Sequence, residues 1–154
     1  MKISLTLNGE VVTADVEPRQ SLVDFLRASG LTGTHSGCEH GVCGACSVRV
    51  GGHVVRGCLM LAVQTDGQTV ETIEGLTQSA AIADLQAAFH RRNALQCGFC
   101  TAGMLLTAHE LLALDPLPSR DDIRDYLSGN YCRCTGYQAI IDAIADVAAE
   151  RSGR

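Results

Sequence analysis

Eight cysteines stand in this chain of 154 residues, and they fall into two groups of four. The first is Cys38, Cys43, Cys46 and Cys58; the second is Cys97, Cys100, Cys132 and Cys134. Thiolates are soft, strongly donating ligands, and four of them can hold a zinc ion or an iron–sulfur group. The same residues could instead pair as disulfides. The N-terminal stretch Met1-Lys2-Ile3-Ser4-Leu5-Thr6-Leu7-Asn8 has neither the apolar core nor the small-residue cleavage site of an export signal, and it has no twin arginine. The chain is therefore expected to be cytoplasmic, where thiols stay reduced and clustered cysteines serve metals.

Spacing separates the metal readings. Cys38-x4-Cys43-x2-Cys46 is the spacing of a plant-type [2Fe–2S] site, completed here by Cys58. Gly37, Gly41 and Gly44 allow the backbone to turn closely about such a group. Bacterial two-cluster ferredoxins need repeated Cys-x2-Cys steps and a Cys-Pro, and Rieske centres need two His; neither pattern is present. A zinc ribbon built from Cys43/Cys46 and Cys97/Cys100 would strand four cysteines. The second quartet, Cys97-x2-Cys100 and Cys132-x-Cys134, has a one-residue gap that is unusual for zinc.

The elements that must position these thiols divide the chain by texture. The first half reads as sheet. Ile3, Leu5 and Leu7 alternate with polar residues, Asn8-Gly9 is a hairpin signal, and Val11 to Val16 follow. Ser21 and Asp24 cap a short helix whose Leu22, Phe25 and Leu26 share a face, with Gly30 at its end. Cys46 to Val50, Gly51-Gly52 and His53 to Arg56 form a second hairpin, and Thr69 to Ile73 a last strand. The second half reads as four helices: Ile82–Arg92, Thr101–Leu114, a short one capped by Ser119 and Asp122 and ended by Gly129, and Gln138–Arg151. Each cysteine pair of the second quartet lies where a helix begins, and free N–H groups there suit thiolates.

Composition excludes several classes. Twelve Lys and Arg against 17 Asp and Glu give a net charge of −5, so the chain is not expected to bind nucleic acid. No apolar run is long enough to span a bilayer. Hydrophobic residues make up 46%, enough for a packed core. There is no nucleophile elbow, phosphate loop or dinucleotide fingerprint, and hence no evident site for an organic substrate.

Three segments carry a family resemblance: Thr34-His35-Ser36-Gly37-Cys38-Glu39-His40-Gly41-Val42-Cys43-Gly44-Ala45-Cys46, Gln96-Cys97-Gly98-Phe99-Cys100-Thr101-Ala102-Gly103-Met104, and Asn130-Tyr131-Cys132-Arg133-Cys134-Thr135-Gly136-Tyr137. In this order they closely resemble the small iron–sulfur subunit of the molybdenum hydroxylases, the xanthine dehydrogenase family, over nearly the whole chain. Ala102 departs from the Pro the family often has there, at a first-turn position where Pro is optional.

The resemblance implies an α+β fold: a β-grasp ferredoxin-like domain over residues 1–76, then a four-helix bundle over 77–154, each with one [2Fe–2S] cluster. The first would be held by Cys38, Cys43, Cys46 and Cys58, the second by Cys97, Cys100, Cys132 and Cys134. It implies electron relay from a molybdenum cofactor on a large partner subunit to FAD on a medium subunit or to another acceptor. The second cluster would be the one proximal to molybdenum, and Gln96 would hydrogen-bond the pterin. A freestanding two-cluster ferredoxin-like carrier is the alternative, and the helical half argues against it.

The remaining polar residues have plainer readings. His35 and His40 are expected in polar loop roles, and His53, His90 and His109 as surface or capping residues. Arg91-Arg92 reads as a solvated face. Arg133, between two cysteines, could offset cluster charge, face a partner, or simply be solvated.

Overall fold

The structure is a computed structural model that describes residues 1–153. Strands β1 (Lys2–Leu7) and β2 (Glu10–Asp15) form an antiparallel hairpin. Its turn, Asn8 at φ 51° and Gly9 at φ 89°, has the two left-handed residues that match strand twist. Helix α1 (Leu22–Ala28) starts where the Ser21 hydroxyl accepts the Asp24 N–H, and it buries Leu22, Val23, Phe25 and Leu26. Strands β3 (Ser47–Val50) and β4 (His53–Arg56) form the second hairpin, and β5 is Thr69–Glu71. The sheet order is β2-β1-β5-β3-β4, with β1 and β5 parallel. One face packs on α1: Ile3, Leu5, Leu7, Val48, Val50 and Val70 meet Leu22, Phe25 and Leu26.

The chain then becomes helical: α2 (Ile73–Gln78), α3 (Ala83–Arg91), α4 (Thr101–Leu114), α5 (Arg120–Tyr126) and α6 (Gln138–Ser152). The capping box of Ser119 and Asp122 starts α5, as its sequence predicts. The expected final strand through Ile73 is shorter than predicted. After Glu71 the chain enters α2, whose Leu76 is buried in the helical core with Ile73 packed against it. An apolar pair three residues apart serves a helix as well as a strand end, and the helical core is what it meets here.

Helix α4 is the centre of the molecule. Nine of its fourteen residues are buried. Met104, Leu105, Ala108, Leu111 and Leu112 form the stripe that faces the other helices, while Ala102, Gly103, Leu106 and Thr107 are buried as well. A helix buried all round lies between two partners, and α4 packs on β3 and β4 as well as on α2, α3 and α5. Side chains brace this contact. The Val54 N–H on edge strand β4 donates to Glu110 at 2.7 Å, and the Tyr126 hydroxyl donates to the same carboxylate at 2.6 Å. Arg56 donates to the Gly129 carbonyl at 2.7 Å. An edge strand is thus covered by a helix, one of the ways proteins prevent open edges from pairing.

Among the described residues no helix is long and apolar enough to cross a membrane.

Candidate metal centres

The first quartet lies on the loop between α1 and β3 and on the turn after β4. Glu39, Gly41 and Gly44 have positive φ, so the loop coils on itself. At Gly44 a Cβ would sit 2.6 Å from both the Gly129 carbonyl and the Asn130 amide, leaving no room for a side chain. At Gly37 a Cβ would lie 3.2 Å from Cys43 Sγ. Gly44 is therefore required by its closeness to the second half of the chain, while Gly37 keeps a tight contact with a thiol. Cys38 Sγ accepts the Cys43 N–H at 3.4 Å. Backbone N–H groups of Cys43 and His40 pull the Cys38 thiol down to about 6. Burial pushes Cys46 up to about 11, with the Cys58 thiol beside it.

The second quartet gathers where two helices begin. Cys100 is the residue before α4, and Cys132 and Cys134 precede α6 by a loop ending in Tyr137, which has φ 68°. The Tyr137 hydroxyl accepts the Cys132 N–H at 2.9 Å, and the Thr135 hydroxyl donates to Cys132 Sγ at 3.1 Å. Burial works against the Cys132 thiolate, but the Thr135 hydroxyl and the N–H groups of Cys134 and Thr135 outweigh it and hold this thiol low. Cys100 is pushed up to about 12 by burial first and then by the Cys132 thiol beside it. A cavity of about 410 Å³ opens here, lined by Cys97, Phe99, Cys100, Cys132, Arg133 and Tyr137, among others.

Within each quartet the thiols lie close enough to influence one another. Cys38 neighbours Cys43, and Cys46 feels both Cys58 and Cys43; Cys97 neighbours Cys134, and Cys100 feels both Cys132 and Cys97. The Cys97 and Cys134 sulfurs are 3.6 Å apart. That is far beyond an S–S bond of about 2.05 Å, and near the spacing of two sulfurs on one tetrahedral metal with bonds of about 2.3 Å. Among the described residues no three His, Cys, Asp or Glu side chains converge on one ion. Four soft thiol donors gathered at each place fit a [2Fe–2S] group. Iron would hold even the high thiols as thiolates, because a bound cation inverts the local acid–base balance.

Gln96 is exposed, and its amide donates to the Cys134 carbonyl at 3.0 Å, tying the two cysteine pairs together. His40 bonds the Cys38 carbonyl and His35 the Phe99 carbonyl, so both have polar loop roles. His53 and His90 are exposed. His109 corrects the expectation of a surface residue: it is half-buried on α4, and its Nδ1 is buried without a hydrogen-bond partner. Its helix position belongs to the face that meets the sheet, which amphipathic periodicity on one stripe does not reveal. Arg91 and Arg92 are exposed and pair with Glu150 and Asp146. Arg133 is exposed at the cavity. Asn130 is a functional residue that sequence patterning does not mark beyond its place in a motif. It is 2% exposed and bonds both Thr107 and the Gly44 carbonyl. A polar residue between Gly and the cysteine pair is the only sign of it in the sequence.

Both halves of the chain resemble known proteins. Residues 5–76 match the family described as "2Fe-2S iron-sulfur cluster binding domain", and residues 72–145 match "[2Fe-2S] binding domain". The chain is 51% identical over 149 residues to the caffeine dehydrogenase subunit gamma of Pseudomonas sp. (strain CBB1), covering 94% of this chain and 89% of that one. It is 50% identical over 147 residues to the nicotine 6-hydroxylase small subunit of Paenarthrobacter nicotinovorans, covering 95% and 88%. The crystal structure of quinoline 2-oxidoreductase from Pseudomonas putida 86 contains a chain with a TM-score of 0.94 and 54% identity, covering 99% of this chain and 96% of that one.

Proposed function

The chain belongs to the small iron–sulfur subunits of the molybdenum hydroxylases, and from that premise we propose how its residues serve electron transfer in such an oxidoreductase. It carries two [2Fe–2S] centres and works with a large molybdenum-cofactor subunit. A bound [2Fe–2S] group supplies reversible one-electron storage; the protein supplies ligands, spacing and a controlled environment. Cys38, Cys43, Cys46 and Cys58 hold one centre, and Cys97, Cys100, Cys132 and Cys134 hold the other. The observation that carries this assignment is that the thiols of each quartet stand beside one another, with the Cys97 and Cys134 sulfurs 3.6 Å apart and unbonded.

Residues 1–76 form the ferredoxin-like unit and 77–154 the helical unit, with their junction inside α2. The helical unit faces the molybdenum cofactor. Gln96 stands at the exposed edge of its cysteine loops and turns its amide from the Cys134 carbonyl toward the pterin in the complex. The ferredoxin-like unit faces a flavin-bearing subunit or another acceptor. The complex works in the cytoplasm. The three relatives act on nitrogen heterocycles by name, which makes an N-heteroaromatic substrate for the partner subunit the first class to screen.

Elemental analysis of the native complex tests the reading. Four irons and four acid-labile sulfides per copy of this chain are expected, with molybdenum in the associated large subunit. Two irons per fully loaded chain, or stoichiometric zinc, would overturn it.

A further inference from the structure

The loop of the first quartet is clasped on two sides by the loops of the second. On one side the Tyr131 N–H, next to Cys132, donates to the Cys43 carbonyl at 2.8 Å. This bond is backbone to backbone and does not depend on side-chain identity. On the other side the contact is made by side chains. Phe99 lies between Cys97 and Cys100, yet its ring reaches Gly37, next to Cys38: a Cβ at position 37 would be 3.3 Å from Phe99 Cε1. His35 covers that ring. The two rings stack with centroids 4.6 Å apart and 11° between planes. His35 Nδ1–H donates to the Phe99 carbonyl at 2.8 Å, with the proton on Nδ1 because a carbonyl only accepts. The His35 backbone N–H is tied to the Ala45 carbonyl, on the far arm of its own loop.

Phe99 is a large aromatic that is 46% exposed, so core packing does not explain its place. His35 bonds and stacks on it while standing on the opposite loop. We propose that His35 is a positioning residue for electron transfer between the two centres: it holds the Cys97–Cys100 loop against the Cys38–Cys43 loop and so sets the gap an electron crosses. The step is simple in balance. One electron leaves the reduced centre and enters the oxidised one, and no bond or proton moves. Its rate falls steeply with the gap, so a residue that fixes the gap controls the rate without touching either metal. The proposal rests on the assignment of the two quartets made above.

The test uses the native complex with His35→Ala and His35→Phe, the second keeping the stack and losing the hydrogen bond. Iron is counted first. Both centres are then reduced with dithionite, and the magnetic splitting between them is read by electron paramagnetic resonance. Redistribution of a single electron after flash photoreduction gives the rate. The expected result is four irons throughout, a weaker splitting and a roughly tenfold slower redistribution in His35→Ala, since small misplacements are costly, with His35→Phe in between. Unchanged splitting and rate at four irons would overturn the proposal while leaving the quartets intact. Loss of iron from either centre would also overturn it, because His35 would then support ligation rather than spacing. Should His35→Ala fail to fold, His35→Phe decides alone: weaker splitting supports the proposal and unchanged splitting overturns it. Two irons in the unsubstituted chain would instead sink the quartet assignment beneath it.

Discussion

Cys43 and Cys100 stand in different loops, on different elements, in different quartets. On the assignment proposed above each is one ligand of four, so replacing it by Ser should open one centre and leave the other. In reduced protein, Cys43→Ser is expected to remove one of two paramagnetic signals and Cys100→Ser the other. A folded variant that lost both signals would contradict the assignment of separate quartets. Gln96 makes one exposed hydrogen bond, to Cys134. Gln96→Ala should therefore cost stability only about 0.5–1.5 kcal/mol. Its larger effect is expected on function: substrate-driven reduction of the centre at Cys97 and Cys134 should slow, while reduction by dithionite stays normal. Equal slowing of both would place Gln96 outside the route from molybdenum.

At the scale of elements, α4 is where two opposing effects can be weighed. Gly103 sits inside the helix, and Gly→Ala in a helix interior ordinarily stabilises by about 0.5–1 kcal/mol. Here a Cβ would collide with the Gly44 carbonyl of the first cysteine loop and approach Asn130 Nδ2 at 3.3 Å. A backbone carbonyl cannot swing away as a side-chain tip can. Overpacking of this kind costs about 1–3 kcal/mol and should win. Gly103→Ala is expected to lower the melting temperature and to disturb the first centre, although Gly103 stands three residues after Cys100 of the second quartet. A gain in melting temperature would show that helix propensity prevails and that the close approach relaxes freely.

For the whole molecule, the junction of sheet and helices carries a pH dependence. His109 on α4 is kept neutral by burial first, and then by the positive charges of Arg49 on β3 and Arg151 on α6. Glu71 on β5 and Asp84 on α3 oppose this, but each is paired with one of those arginines. A histidine with a lowered folded value gives its full stability above 6.5, its ordinary value. Below that the unfolded chain takes up the proton first, and stability falls as pH moves down through the folded value. The complex should melt at lower temperature as pH drops below 6.5, and His109→Gln should flatten part of that slope. A slope unchanged by the substitution would assign the effect to other groups.

The sequence by itself determined which eight residues could bind metal, because ligand chemistry depends on residue type and on local spacing. It also determined most elements: alternation, caps and Asn-Gly or Gly-Gly turns are local signals, and β1 to β4, α1, α4 and α5 lie where those signals put them. Tertiary structure alone decided how Cys58 joins Cys46 and how Cys132 joins Cys100, since the intervening chain carries no distance information. It alone turned the end of the last strand into α2, through the helical core that Leu76 enters. The second face of α4, the burial of His109 and the meeting of Phe99 with His35 arise where the two halves touch. No periodicity within either half records that contact, because it depends on how two separately patterned surfaces fit together.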